Sequence, residues 1–526
     1  MPQPVYDVCV IGGGASGGTV AGTLARAGVD VVLVEGGPYR NPALLKNHAW
    51  PYDQTKPTVP PVGVDPKLEP IEMHGDSIGI NRARVLGGRT THWNAVALRF
   101  SEADFRERSR NGIEDDWPVP YAEFAPYYDR AERLMVVCGT RENLEVLPDG
   151  QFIPPLKPRC SERILGRACE KLGIRMIPVR KALATEPGHG RAACHFCGHC
   201  MSGCEVSAIF NTAEHVIPAA QKTGRLRVVS NCMARQLLMG TGENAGRARA
   251  VSVLHRDTKR EEEIQARVFV LSCGNIESAR LWLNSRFPNT YDNIGRYLHG
   301  HITCSAMGYL SALVGKPMGN QDGATDHVYI PRMKRPRCDY AGGFGFQLNF
   351  ASYMTPYHAK HLPGYGAAFK RRVRELQPGY THLGGFGKGV SHRENRITVH
   401  ATRRDAYGIP IPVVYFHWQP NDRALFKDMC DTALEIYDAA GVKFLIPPDP
   451  VSGGFASHEV GAMRMGSDPK TSVVNRLCQA HEVKNVFVTD GSCFTTFPEK
   501  NPTLTIVALS IRTADNIVEL RRRGEL

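Results

Sequence analysis

The apolar pattern is clearest at the two ends of the chain. Tyr6-Asp7-Val8-Cys9-Val10-Ile11 is a short, nearly continuous apolar run, which predicts a buried parallel strand. A glycine turn follows, and then a helix from about Ser16 to Ala27, with Gly18, Ala21, Gly22 and Ala25 as small residues toward a sheet. A second apolar strand, Val29 to Val34, ends at Glu35. Late in the chain a strand from Asn485 to Thr489 leads to Asp490-Gly491, then Asn501-Pro502-Thr503, and a long helix from about Thr503 to Arg521. The Pro- and Gly-rich stretch Pro57 to Gly63 reads as a loop or lid. No apolar run reaches the roughly 18 residues of a membrane span, no secretory signal peptide is visible, and no repeat or low-complexity tract interrupts the pattern.

The glycine turn carries chemistry. Gly12, Gly14 and Gly17 form a G-x-G-x-x-G between strand and helix. Gly12 permits the tight turn, Gly14 lets backbone approach a pyrophosphate, and Gly17 lets helix and strand pack closely, with the helix N-terminus facing the phosphates. Glu35 is placed to accept from ribose hydroxyls, and an acid there argues for FAD or NAD over NADP. A glycine turn without a ligand would not need Glu35.

Composition changes this picture little. The 526 residues are 42% hydrophobic and 22% charged, ordinary for a globular chain of two to four domains' worth of length. The net charge is +12, with only short basic clusters and no nucleic-acid-binding motif. Solubility, or attraction of an acidic electron-transfer partner or the anionic cofactor, explains it better.

Cysteine changes the picture more. There are 15, most of them dispersed, which fits folding in a reducing compartment better than a disulfide framework. Four of them, Cys194, Cys197, Cys200 and Cys204, follow C-x2-C-x2-C-x3-C, a spacing used by iron–sulfur clusters. Zinc is the alternative, although zinc sites usually split their cysteines into two separated pairs. A site that binds no metal is the third reading.

Several further segments carry a resemblance. They are Val85-Leu86-Gly87-Gly88-Arg89-Thr90-Thr91-His92-Trp93-Asn94, Glu35-Gly36-Gly37, Asp116-Trp117-Pro118, Ser272 to Ser278, Asn395 to Thr398, Asp405 to Pro410, and the run from His458 to Gly466. Together they resemble the glucose–methanol–choline (GMC) family of FAD oxidoreductases over nearly the whole chain, most closely its pyranose-oxidase-like branch and its iron–sulfur glucoside 3-dehydrogenase type. One departure is Glu277-Ser278 where the family commonly has serine-proline.

The resemblance implies an α/β fold, α+β overall: a Rossmann-like FAD-binding domain plus an antiparallel-sheet substrate domain. The expected FAD domain is discontinuous (1–45, 80–100, 212–300, 455–526), with the substrate domain at 46–79, 101–211 and 301–454. Gly87, Gly88 and Asn94 match positions lining the flavin. Thr91-His92-Trp93 matches a run whose histidine bonds covalently to flavin in some members, with packing beside the ring as the alternative for His92. Asp490 and Gly491 match the ribityl and pyrophosphate contact, with Pro502 and Thr503 at a helix start beside the flavin.

His458 and Asn501 match the catalytic pair, and their chemistry suits alcohol oxidation. A neutral imidazole can take the hydroxyl proton near neutral pH. An asparagine amide can orient the same oxygen without competing for that proton. The resemblance therefore implies oxidation of a sugar or glycoside secondary alcohol, at C3 in the glucoside type, with electrons leaving through a 3Fe-4S or 4Fe-4S cluster to an external acceptor. A cytochrome or a small subunit would serve as that acceptor. An oxidase making peroxide and a non-catalytic flavin electron carrier are the alternatives. Cytoplasmic residence and co-export with a partner subunit fit equally.

Overall fold

The N-terminal pattern produces strand Val5–Ile11, helix Ala15–Arg26 and strand Val31–Val34, with the two strands parallel and in register from Val8 opposite Val31. The computed structural model describes residues 4–45, 63–319, 325–333, 338–349, 354, 356–449, 454–455 and 457–526. Of the loop or lid expected over Pro57 to Gly63, only Gly63 lies within them. The strands are apolar throughout because both faces are covered. Val8, Val10, Val31 and Leu33 pack with Val20, Leu24 and Ile517 in one core cluster, while Cys9, Ile11, Val32 and Val34 belong to the main cluster on the other face.

This sheet runs in the order Leu226–Val229, Val31–Val34, Val5–Ile11, Glu261–Leu271, Ala248–His255, Cys232–Met239. Strand Glu261–Leu271 forks. On the side away from Val5–Ile11, its first half pairs antiparallel with Ala248–His255 and its last residues pair parallel with Val486–Val488. The late strand expected from Asn485 to Thr489 is thus inserted into the sheet that the first residues begin. The C-terminal helix Thr503–Arg522 then packs against helix Ala15–Arg26, and against helix Tyr121–Met135 on another side.

A second, antiparallel sheet runs Val442–Ile446, His301–Leu310, Tyr380–Lys388, Phe344–Leu348, Val328–Met333, Ile177–Pro178. Helix Pro420–Ala440 covers one face, against His301–Leu310 and Tyr380–Lys388. A third sheet joins the hairpin Arg396–Arg404 and Pro410–Phe416 to strand Glu72–Gly75. The turn of that hairpin is held by Asp405. Its Oδ1 accepts from Tyr407 N at 2.8 Å and Ile409 N at 3.0 Å, and its Oδ2 accepts from Arg280 Nη2 at 2.7 Å. Arg280 lies on helix Asn275–Ser285, so this buried pair ties the first sheet's helix to the third sheet.

Candidate active site

Both large sheets meet at one cavity of about 540 Å³. Three helix N-termini reach it, at Gly14–Ala15, Gly274–Asn275 and Pro502–Thr503, and none is capped by a side chain. Their first-turn amides and aligned dipoles favour an anion in the cavity.

The glycine turn is shaped by close approach. Gly12 has φ +99°, and a Cβ there would lie 2.5 Å from Ser272 O. A Cβ on Gly17 would lie 1.8 Å from Gly12 O, so helix and turn touch backbone to backbone. Gly14 faces Gly88, whose Cβ would stand 2.9 Å from Gly14 Cα. Gly12, Gly14 and Gly88 line the cavity. Gly17 and Gly87 support it from behind, with the Gly87 amide donating to Gly13 O at 3.1 Å. The turn is also stitched to the end of the chain. Ser16 Oγ meets Thr489 Oγ1 at 2.7 Å, Ser272 Oγ at 3.1 Å and Ser510 Oγ at 3.2 Å.

Glu35 lines the cavity at the end of its strand. Oε2 accepts from Gly13 N at 2.7 Å and Oε1 from Gly37 N at 2.8 Å. Each carboxylate oxygen keeps acceptor capacity for a ribose hydroxyl. Burial raises its pKa, while the two amides and Arg84 oppose that shift. Asp490 Oδ2 accepts from Gly274 N at 2.9 Å and Ser278 Oγ at 2.5 Å, and Oδ1 accepts from Ser492 N at 2.9 Å. It fixes the start of helix Asn275–Ser285 to the strand end, with Gly491 beside it in the wall. Glu277, the departure from the family signature, bridges Arg82 at 2.8 Å, Arg280 at 3.1 Å and Arg84 at 3.2 Å. The residue that stands in place of the usual serine therefore pairs with three arginines around this end of the cavity.

His92 and Asn94 line the cavity farther along. The His92 ring shares a hydrogen bond with Thr91 Oγ1 at 3.1 Å. Burial, with Arg89 and Arg40 nearby, pushes its pKa down to about 4, so it is neutral.

His458 and Asn501 share the same cavity, together with Thr503 and Pro502. The His458 ring is half-buried, and what it exposes faces the cavity. Its Nδ1 lies 3.0 Å from Nδ1 of His301, whose Nε2 lies 2.7 Å from the Pro498 carbonyl. Burial, His301 and Arg89 hold the His458 pKa well below the ordinary histidine value. Asn501 Oδ1 accepts from Gln347 Nε2 at 2.7 Å, which leaves its Nδ2 group as the donor. Just before Asn501, Lys500 Nζ is buried against Asp104 at 2.7 Å and Glu499 at 3.2 Å, which pins the backbone that carries it.

The second sheet contributes residues that the motifs did not announce. Thr303 and Ser305 alternate along one strand and so share a face. Gln347, His382, Gly384 and Phe386 complete that wall, with Ser305 Oγ 2.8 Å from His382 Nε2. The signal in the sequence was the polar alternation His301, Thr303, Ser305 within an otherwise apolar strand.

The four cysteines lie in a loop around the short turn Cys200–Ser202. The loop abuts the flavin-side segment: a Cβ on Gly203 would lie 3.2 Å from Thr91 O, and Met201 lines the cavity. Phe196 N donates to Cys194 Sγ at 3.3 Å. Burial pushes the Cys194 thiol up to about 12 and the Cys197 thiol up to about 11, with neighbouring cysteines adding to both. Cys204 is likewise raised by burial, with Ile209 and Ala208 amides pulling against it. Among the described residues no group of three or more His, Cys, Asp or Glu is arranged to hold a metal ion, these four cysteines included.

Comparisons with known proteins identify the family and the fold. Family models for GMC oxidoreductases match residues 6–303 and 391–510. The chain is 28% identical to 2-methyl-1,2-propanediol dehydrogenase of Mycolicibacterium austroafricanum, covering 97% of this chain and 95% of that one. It is 26% identical to the fructose dehydrogenase large subunit of Gluconobacter japonicus, covering 98% of each. Among solved structures, pyridoxine 4-oxidase from Mesorbium loti superposes with a TM-score of 0.67 at 16% identity, over 97% of this chain and 99% of that one. The uncapped helix N-termini, the glycine cradle and Glu35 suit a dinucleotide, and the cofactor is FAD. With 57% of its length inside a single family model (298 of 526 residues), this chain belongs to the GMC family of FAD-dependent oxidoreductases.

Proposed function

We propose that the enzyme oxidises a secondary hydroxyl of a sugar or glycoside to a ketone. The observation that carries this reading is the shared cavity of His458 and Asn501 with a hydroxyl- and amide-bearing sheet face, Thr303, Ser305, Gln347 and His382. Those groups can pair with the several hydroxyls of a carbohydrate, which a purely apolar pocket could not satisfy. A relative named for fructose supports a sugar substrate, and one named for a diol supports alcohol oxidation more broadly.

The residues divide the work. Gly12, Gly14, Glu35, Gly88, Asp490 and Gly491 would hold FAD, which would supply the two-electron acceptor when bound. Asn501 donates to the reacting hydroxyl oxygen and orients it. His458 takes the hydroxyl proton while the carbon gives up its hydrogen with the bonding pair, so the C–O bond becomes C=O. The neighbouring helix N-terminus at Pro502–Thr503 favours the negative charge that builds beside it. An anaerobic panel of sugars and glycosides should bleach the flavin absorbance with at least one member. A panel that leaves the flavin oxidised throughout refutes the reading. Stoichiometric peroxide in air, with no turnover of a one-electron acceptor, would make the enzyme an oxidase.

The electron exit is read from the cysteine loop. Four thiols at iron–sulfur spacing, amides directed at their sulfurs, and contact with the Thr91 backbone support a cluster that passes electrons to a cytochrome or small subunit. A relative named as a large subunit favours such a partner. Iron and acid-labile sulfide should accompany the anaerobically purified protein. Zinc, or no metal at all, overturns this route and leaves the alcohol oxidation standing.

A further inference from the structure

We propose that His301 is a positioning residue that fixes which nitrogen of His458 carries the proton, leaving Nε2 bare toward the substrate. The inference rests on the reading of His458 as the base. A backbone carbonyl can only accept, so the 2.7 Å contact to Pro498 O requires a hydrogen on His301 Nε2. A neutral imidazole carries one N–H, so His301 Nδ1 is then an acceptor. The 3.0 Å contact between the two Nδ1 atoms therefore takes its hydrogen from His458. With Nδ1 of His458 protonated, its only lone pair is on Nε2.

The surroundings hold this arrangement in place. His301 is fully buried, and its ring stacks on Phe497 at 4.2 Å with an interplanar angle of 12°. Phe386 packs edge-on to His301 at 5.7 Å and lies 5.9 Å from the His458 ring. The groups that bear on the pair are Glu499, His299 and Lys500 around His301, and Arg89 near His458. Burial pushes His301 down to about 4, so it stays a neutral acceptor. Once His458 has taken the substrate proton, the same Nδ1–H to His301 contact becomes a charge-assisted hydrogen bond that stabilises the imidazolium.

The test compares His301→Phe with His301→Asn in the holoenzyme. Phenylalanine keeps the ring stacked on Phe497 but removes the acceptor. Asparagine loses the ring but places Oδ1 where Nδ1 was. The expected result is that His301→Phe slows anaerobic flavin reduction by about tenfold to a hundredfold and displaces its acid limb, while His301→Asn recovers much of the rate and the wild-type limb. If packing were the only role, phenylalanine would be the better-tolerated variant, and a wild-type rate and pH profile in His301→Phe overturns the proposal. Should a variant fail to fold, ¹⁵N-histidine spectra of the wild type decide. The resonances lost on His458→Ala must report a protonated Nδ1 and a bare Nε2, and the opposite tautomer sinks the inference. Normal turnover in His458→Ala would instead remove the base reading itself.

Discussion

At His458 the environment prescribes a pH behaviour. Burial, His301 and Arg89 lower its pKa, so the base form persists below the ordinary histidine midpoint of 6.5. The acid limb of kcat/KM should therefore fall below pH 6.5, and a limb above it would contradict the assignment. His458→Ala should lose about 10²- to 10⁴-fold in kcat while keeping its flavin absorbance, because the glycine cradle is untouched. Steady-state rates and a spectrum of the purified variant check both halves. His458 and Asn501 were legible in the sequence because local motifs flank them. The roles of Gln347 and His301 as their partners were not. Their partners come from strand register and from a segment more than 150 residues away in each case, Asn501 and His458 respectively. No local pattern records such a pairing.

The βαβ unit at the N-terminus depends on contacts between main chains. A Cβ at position 17 would meet the Gly12 carbonyl at 1.8 Å, and no side chain can swing away to relieve it. Gly17→Ala should therefore force the helix off the turn, at a cost of about 1–3 kcal/mol or more. The purified variant should carry substoichiometric flavin and melt several degrees lower, as read from the flavin-to-protein absorbance ratio and a thermal scan. This unit was legible because its apolar runs, glycines and acid all lie within a short stretch. The second sheet was far less so. Strand Tyr380–Lys388 contains Gly384, Gly385 and Gly387, a composition that reads as loop. Two of these glycines are there because the sheet is packed tightly: a Cβ on Gly385 would meet Cys304 Sγ at 2.7 Å, and one on Gly387 would meet Leu425 at 2.3 Å. The helix at the C-terminus agreed to within a residue, Thr503–Arg522 against an expected end at Arg521, since its long apolar stripe and preceding proline are both local signals.

Over the whole molecule, buried neutral histidines set the acid sensitivity. His92, His215 and His301 are lowered to about 4 and His382 to about 3, each mainly by burial. Between pH 6.5 and about 4 the unfolded chain binds more protons at these sites than the native one, so stability falls as pH falls through that window. Asp326 and Asp422, raised to about 6 by burial, act in the opposite sense over part of the range. The four histidines outnumber them, so the melting temperature should drop on acidification from pH 6.5 to 4. A melting temperature that is flat or rising across that interval would contradict this. The fork in strand Glu261–Leu271 has another consequence, one of timing. The edge that receives Val486–Val488 is made long before its partner emerges from the ribosome, as is the helix Ala15–Arg26 that waits for Thr503–Arg522. The nascent chain therefore displays an open apolar edge and an unfinished nucleotide cradle throughout most of synthesis. Cofactor capture therefore waits for Val486–Val488 and Thr503–Arg522 to emerge, and a ribosome that stalls before them releases a chain that chaperones and proteases can recognise by its empty seam.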